Sequence, residues 1–263
     1  MDFSENQLRR YARHITLREV GGKGQAKLLA SRVLVVGAGG LGSPLLLYLA
    51  AAGVGTIGVA DHDIVDLTNL QRQVLHGTSC IGMAKVESAK AAIADVNPDV
   101  KLVPHAIKVD ADNAAALIAD YDLIADGSDN FEARFVLNDA CYFANKPLVS
   151  AAILRFDAQL STFRAFEAGD NPCYRCLFRE PPPEVLIPTC SEGGVLGALA
   201  GAAGSIQATE VLKELLGIGD GLSGYLLIYD ALSATFQKIR VHRDPDCPLC
   251  GAHPTIRKIG EHG

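Results

Sequence analysis

No stretch of this 263-residue chain is apolar for long enough to span a membrane. The most apolar run, 195–208, is too short and is broken by Gln207, with Glu210 and Lys213 close behind. Its Gly197-x-x-x-Gly201 spacing is known from membrane helix pairs, but in so short a run it reads as close packing of a water-soluble helix. A basic surplus is also missing. Lys and Arg number 24 against 30 Asp and Glu, a net charge of −6 that argues against a nucleic-acid partner. The start, MDFSENQLRRYARH, has neither the basic nor the apolar region of a secretory leader, so a cytoplasmic protein is expected. Internal repeats and low-complexity linkers are absent. Histidines form no constellation: His14, His62, His76 and His105 are scattered, which points away from chemistry that needs a histidine base. With 49% hydrophobic and 21% charged residues, the chain has ample material for a buried core.

What is present is concentrated between Val33 and Gln73. Val33 to Val36 is an apolar β-branched run, the mark of a buried parallel strand. Gly37, Gly39 and Gly42 follow at G-x-G-x-x-G spacing, with Gly40 among them, and LLLYLAAA continues as a helix. Such a turn lets backbone approach phosphate oxygens, and the helix N-terminus supplies N–H groups and a positive dipole end. A second strand, 56–60, ends at Asp61, where a ribose-binding acid belongs. Asn69, Arg72 and Gln73, as i, i+3 and i+4, share one face of a helical turn, and Lys85 stands a short loop further on. Two cations beside a glycine turn suit a triphosphate better than the diphosphate of NAD.

The rest of the core alternates helix and strand. Ser4 and Gln7 form a capping box opening an N-terminal helix, with Leu8, Tyr11, Ala12 and Ile15 as an apolar stripe and Arg9, Arg10 and Arg13 on the other side. A helix is expected over 85–96, ended by Asn97-Pro98, then a strand over 100–109, a short helix over 112–119 and a buried strand over 122–126. Gly-Ser-Asp-Asn follows at 127–130, then a helix over 131–144 and a strand over 147–152. Gly37, Asp61 and Asp129 all lie just past strand ends, where ligands collect in a doubly wound sheet. Asp129 could cap the next helix; beside a triphosphate it could instead hold Mg²⁺. Beyond this, 159–166 and 225–241 read as antiparallel strands, with a long apolar helix over 194–216 between them and an irregular segment over 179–194. The expected fold is α/β: a Rossmann-like, doubly wound, mainly parallel sheet extended by antiparallel strands. It is read as one domain, with a helical arm (1–30), a nucleotide-binding core (31–152) and an antiparallel, metal-binding part (153–263).

The chain has seven cysteines, and nothing points to an oxidising compartment. Cys173-x-x-Cys176 and Cys247-x-x-Cys250 repeat one spacing, and two such turns complete a tetrahedral four-sulfur zinc site. The competing redox reading expects one C-x-x-C ahead of a thioredoxin-like helix. A closed shell of this kind holds structure and does no chemistry. Cys80 and Cys141 have no partner signal and read as buried packing residues.

GAGGLG, DHDIVDLTNLQRQ, Lys85 and the GSDN at 127–130 resemble the bacterial MoeB/ThiF proteins, relatives of ubiquitin-activating enzymes, from RYARHI to the last C-x-x-C. The resemblance implies ATP-dependent adenylylation of the C-terminal glycine of a ubiquitin-like sulfur carrier ending in Gly-Gly. It implies nucleotide contacts from Gly37, Gly39, Gly40, Gly42, Asp61, Asp63, Thr68, Asn69, Leu70, Gln71, Arg72, Lys85, Asp129 and Asn130, with Mg²⁺ at Asp129. Arg13 matches an arginine that reaches the ATP site of a neighbouring subunit, so a homodimer is implied. Cys190 matches a loop cysteine that can link covalently to the carrier in ThiF-type members and is dispensable in MoeB-type ones. PCYRCL, TCSEGGV and YDAL look closer to the MoeB type, which serves molybdenum cofactor biosynthesis; the alternative is the thiamine carrier. No rhodanese-like segment follows the last C-x-x-C, so a separate sulfur donor is expected. An NAD-dependent oxidoreductase would leave Arg72, Lys85 and the cysteine pairs without a role, and a non-catalytic scaffold would not need them.

Overall fold

A computed structural model describes residues 3–180 and 194–261. The chain begins with α1 (Glu5–Arg10), α2 (Ala12–Thr16) and α3 (Gly21–Ala30). It continues through β1 (Arg32–Val36), α4 (Gly42–Ala52), β2 (Thr56–Ala60), α5 (Lys85–Val96), β3 (Lys101–His105), α6 (Ala114–Ala119), β4 (Leu123–Asp126), α7 (Phe131–Ala144) and β5 (Leu148–Leu154). The last part holds β6 (Asp157–Phe163), α8 (Tyr174–Leu177), α9 (Gly197–Leu216), β7 (Tyr225–Asp230) and β8 (Thr235–Arg240). One eight-stranded sheet runs through all of it in the order β3-β2-β1-β4-β5-β6-β7-β8. Pairing is parallel from β3 to β5 and antiparallel from β5 to β8.

The continuous apolar run of β1 has a direct physical consequence. Alternate side chains point to opposite faces, and both faces are covered. Val33 and Val35 join Leu45, Leu46 and Leu49 of α4, Ile93 of α5 and Val211 of α9 on one side. Leu34 and Val36 join Ile118 of α6 and Val136 and Leu137 of α7 on the other. Each fully buried leucine in this core contributes about 1.5–3 kcal/mol, an upper figure because the unfolded chain is already partly collapsed. Past β5 the cover thins. Every residue of β7 is half-buried, and every residue of β8 is exposed.

The N-terminal helix departs from the expectation. It breaks at Tyr11 (φ −98°, ψ 10°), and the stripe is not continuous, since Leu8 is 47% exposed while Tyr11 is 2% exposed. Tyr11 turns inward because its ring fills the space beside Gly53, and its hydroxyl accepts from Asn97 Nδ2 at 2.8 Å. In α9 the close approach lies at Gly197 and Gly204. A Cβ at Gly197 would stand 2.2 Å from the Gln71 carbonyl, and one at Gly204 2.4 Å from that of Leu41, whereas Gly201 faces open space. Cys141 is buried as expected, but Cys80 is only half-buried.

Candidate active site

A cleft of about 950 Å³, its open mouth included, lies past the carboxyl ends of β1, β2 and β4. Gly37, Gly39, Gly40, Asp61, Asp63, Arg72, Lys85, Asp129 and Asn130 all line it. The glycines act differently from one another. Gly37 adopts φ +93° and lies against the backbone of Gly127, where a Cβ would come within 2.8 Å of the Gly127 carbonyl. Gly42 closes the turn on itself, because a Cβ there would meet the Gly37 carbonyl at 1.9 Å, and it does not line the cleft. The amides of Gly39, Gly40 and Leu41 donate to no protein group among the described residues, as an anion-binding turn requires.

The Ala38 peptide is clamped from both ends. Its N–H donates to Asp61 Oδ2 at 2.8 Å, and its carbonyl accepts from His76 Nε2 at 2.9 Å. A carbonyl only accepts, so the His76 proton sits on Nε2, leaving Nδ1 to accept from Ser88 Oγ at 2.8 Å. Burial holds the His76 imidazolium below its ordinary range, against the pull of the Ala38 carbonyl; Lys85 lowers it further and Asp61 opposes. Asp61 also accepts from the Asp63 N–H at 2.9 Å.

Lys85 opens α5 with its side chain 6% exposed, and its Nζ reaches Asp63 Oδ2 at 2.8 Å. Burial alone would raise the Asp63 carboxyl, but the Lys85 ammonium outweighs it and the net shift is downward. Arg72 is carried by the turn after a 3₁₀ segment at Leu67–Asn69: the Arg72 and Gln73 amides both donate to the Asn69 carbonyl, and Arg72 Nη1 donates to the Thr68 carbonyl at 3.1 Å. Thr68, Asn69, Leu70 and Gln71 thus form the support of Arg72 and do not line the cleft themselves. Asn130, not Asp129, caps α7 by accepting from Ala133 N at 2.9 Å, which leaves the exposed Asp129 carboxylate turned to the cleft. Arg13 is exposed on α2 and is not part of the cleft wall of its own chain. Cys190 lies outside the described residues.

Several lining residues escape a motif reading. Lys108, paired with Glu132 at 3.0 Å, and Arg134 both belong to the wall. Asp126, fully buried, anchors the 127–130 loop by accepting from Ser128 N and Ser150 Oγ, while Gln207 Nε2 of α9 donates to the Asp126 carbonyl at 2.7 Å. An arginine at 134, four residues past a helix cap, was the available signal.

The cysteine pairs converge outside the cleft wall. The four sulfurs of Cys173, Cys176, Cys247 and Cys250 all lie within 4.8 Å of one another, with Sγ–Sγ separations of 3.9, 3.5 and 3.4 Å for three of the pairs. A tetrahedron with Zn–S of about 2.3 Å has edges of about 3.8 Å, so the set fits zinc. Burial pushes the Cys173 thiol up, so a metal ion bound here would displace its proton to take the thiolate. The Asp244 amide donates to Cys176 Sγ at 3.4 Å, and Gly251 is demanded by the second knuckle, where a Cβ would meet the Cys247 and Pro245 carbonyls at 2.5 Å.

Known proteins resemble this chain in sequence and in fold. The SAMP-activating enzyme E1 of Haloferax volcanii is 49% identical over 251 residues, covering 95% of this chain and 92% of the relative. The sulfur carrier protein adenylyltransferase of Thermus thermophilus is 45% identical over 264 residues, 100% of this chain and 97% of its own length. Adenylyltransferase and sulfurtransferase MOCS3 of Bos taurus is 48% identical over 260 residues, but the chain spans only 56% of that protein. Among solved structures, E. coli MccB superimposes with a TM-score of 0.80 over 100% of this chain and 77% of its own, at 20% identity, a likeness of fold alone. No helix among the described residues is long and apolar enough to cross a membrane. The ThiF family model matches residues 11–249, which takes in the glycine turn, the cation-bearing crossover, the first cysteine pair and Cys247 of the second, and the chain belongs to the ThiF family.

Proposed function

We propose that this chain transfers AMP from ATP to the C-terminal carboxylate of a ubiquitin-like sulfur carrier ending in Gly-Gly. The observation that carries the reading is the convergence of a glycine turn, Asp61, Arg72, Lys85 and Asp129 in one cleft, in a family whose full-length relatives are named for carrier activation. A carboxylate oxygen of the carrier attacks the α-phosphorus, the bond to the bridging oxygen breaks, and pyrophosphate leaves. The attacking carboxylate is already ionised, so no general base is needed. Both reactants are anionic, and catalysis consists of positioning and charge neutralisation.

Under this reading the amides of the glycine turn and α4 cradle phosphate, and Asp61 receives the ribose. Thr68, Asn69, Leu70 and Gln71 serve the nucleotide by holding Arg72 in place, and Arg72 and Lys85 neutralise the triphosphate. Asp129 offers oxygen donors of the kind Mg²⁺ takes, and an ion held there would offset charge shared with the phosphates, with Asn130 beside it contacting the nucleotide. The four-cysteine cluster would hold a structural zinc. Arg13 acts across a homodimer interface, completing a neighbour's site. The chain works as one adenylyltransferase domain, with sulfur supplied by a separate donor protein and Cys190 available for a covalent link to the carrier. Within the family we favour the MoeB type, serving molybdenum cofactor synthesis, over the thiamine type.

The test is exchange of labelled pyrophosphate into ATP with each candidate carrier. Exchange should require the carrier and disappear in Asp129→Ala while the variant stays folded. An absence of exchange with every Gly-Gly-terminated carrier would refute the function; near-normal exchange in Asp129→Ala would refute the metal assignment. The carrier that supports exchange decides between the two types.

A further inference from the structure

Arg134 has no task in the account above, yet it is placed at some cost. It lies in the first turn of α7, is 7% exposed, and contributes to the cleft wall. Nη2 donates to the Ser128 carbonyl at 3.0 Å, and the guanidinium lies 5.2 Å over the Phe131 ring. The Tyr174 hydroxyl is a further side-chain partner of the guanidinium, but Nε is buried with no hydrogen-bond partner, and no carboxylate pairs with Arg134 among the described residues. Arg175 makes the contrast plain. It is equally buried, at 3%, but is neutralised by a two-pronged contact with Asp139. A buried guanidinium without a counter-ion costs several kcal/mol, and a cleft that tolerates one is built for an anion.

Two anions meet in this cleft under the adenylyltransferase reading, and strand order separates their cations. Arg72 and Lys85 both come from the connection after β2, on one flank of β1. Arg134 comes from the element after β4, on the other flank, where Ile153 and Val195 supply an apolar wall. In-line displacement puts the attacking group opposite the leaving pyrophosphate. A guanidinium fork matches a carboxylate in two hydrogen bonds, which a lysine cannot do. We propose that Arg134 is a catalytic residue that receives the carrier's terminal carboxylate and aims one of its oxygens at the α-phosphorus, an assignment that rests on the adenylyltransferase reading. No proton moves in this contact; the guanidinium stays charged throughout.

The test compares two forms of the carrier that supports exchange: one with its native C-terminal carboxylate and one made by semisynthesis with a carboxamide. Binding of each to the wild-type protein and to Arg134→Gln and Arg134→Lys is measured with a non-hydrolysable ATP analogue present, alongside analogue affinity and melting temperature. The wild type should prefer the carboxylate by roughly 10- to 100-fold, the size of one charge-assisted pair. Arg134→Gln should lose that preference, Arg134→Lys should keep part of it, and analogue affinity should be unchanged in both. The inference is overturned if a folded Arg134→Gln keeps the preference. It is overturned equally if the analogue affinity falls and the preference stays, because Arg134 would then serve phosphate. If Arg134→Gln does not fold, Arg134→Lys decides, since full retention of both the preference and the exchange rate would show that no fork is used. A wild type that exchanges pyrophosphate with no carrier removes the parent reading itself, a result distinct from these.

Discussion

Asp139 and Arg175 join α7 to the first cysteine knuckle, and their separation should be among the costliest single changes in the protein. Arg175 Nε and Nη2 donate to Asp139 Oδ1 and Oδ2, both at 2.8 Å, with side chains 3% and 0% exposed. Asn138 Nδ2 adds a contact to Oδ1 at 3.1 Å, and Asn138 Oδ1 accepts from the Tyr174 amide at 2.7 Å. Burial pushes the Asp139 carboxyl up while Arg175 and Asn138 pull it back, and the net shift is upward. Desolvation therefore outweighs the attraction at Asp139, so the pair adds little net stability. Breaking it is another matter. Asp139→Leu alone leaves a buried guanidinium uncompensated, and Arg175→Met alone a buried carboxylate, each a loss of about 3–5 kcal/mol. At about 2–4 °C per kcal/mol for a chain of this size, Tm should fall by roughly 6–20 °C. Replacing both, as Asp139→Leu with Arg175→Met, removes charge and counter-charge together and should recover most of the loss. Thermal melts followed by circular dichroism with zinc in excess measure all four proteins of the cycle, and metal analysis checks that the knuckle stays loaded. A single variant costing under about 1 kcal/mol, or a double variant no better than the worse single, would refute the reasoning.

Zinc should be found at one ion per chain. Cys176→Ser should lower both zinc content and Tm, because metal binding and folding are coupled; freshly purified protein without zinc would sink the assignment. His76 gives a pH dependence. Its folded pKa lies below the unfolded 6.5, so its contribution is fully present above pH 6.5 and is lost as pH falls through the folded value. Unfolding free energy should therefore drop as pH falls below 6.5, with a slope of at most about 1.4 kcal/mol per pH unit from this group, and His76→Gln should flatten that slope without abolishing it, since His105 is shifted the same way by burial; an unchanged slope refutes the clamp on Ala38. For Arg13, a mixture of Arg13→Ala and Lys85→Ala, each nearly inactive alone, should recover activity after subunit exchange, because half the molecules gain one intact site; a mixture that stays inactive after verified exchange rules out action across an interface.

Elements bounded by strong local signals were legible in the sequence. The strand Thr56–Ala60, the helix Lys85–Val96 before Asn97-Pro98 and the helix Phe131–Ala144 fall where apolar runs and breakers put them. The strand expected over 100–109 ends at His105, where the Ile107 amide folds back onto the His105 carbonyl. The N-terminal helix breaks because Tyr11 is claimed by Gly53 and Asn97, residues no local window contains. The same limit governs the site. Glycines, Asp61, Arg72, Lys85 and Asp129 are readable because their roles belong to short motifs. Asp126 and Gln207 are not, since their bond joins positions 81 residues apart.

His76 is the sharpest case of that limit. In the sequence it is one of several scattered histidines, with no constellation to mark it as a base. That absence concerns proton transfer, and His76 is placed for geometry. The Ala38 peptide stands between two glycines, Gly37 and Gly39, which have little steric preference of their own, so its orientation must be imposed from outside. Asp61 at the end of β2 fixes the N–H, and His76, braced by Ser88 on the helix that begins with Lys85, fixes the carbonyl. One rigid unit therefore links the glycine turn, the acid proposed for the ribose and the helix carrying a phosphate-side cation. A turn with freely rotating peptides would spend binding energy on ordering itself; this one is held in place while the amides of Gly39, Gly40 and Leu41 donate to nothing among the described residues.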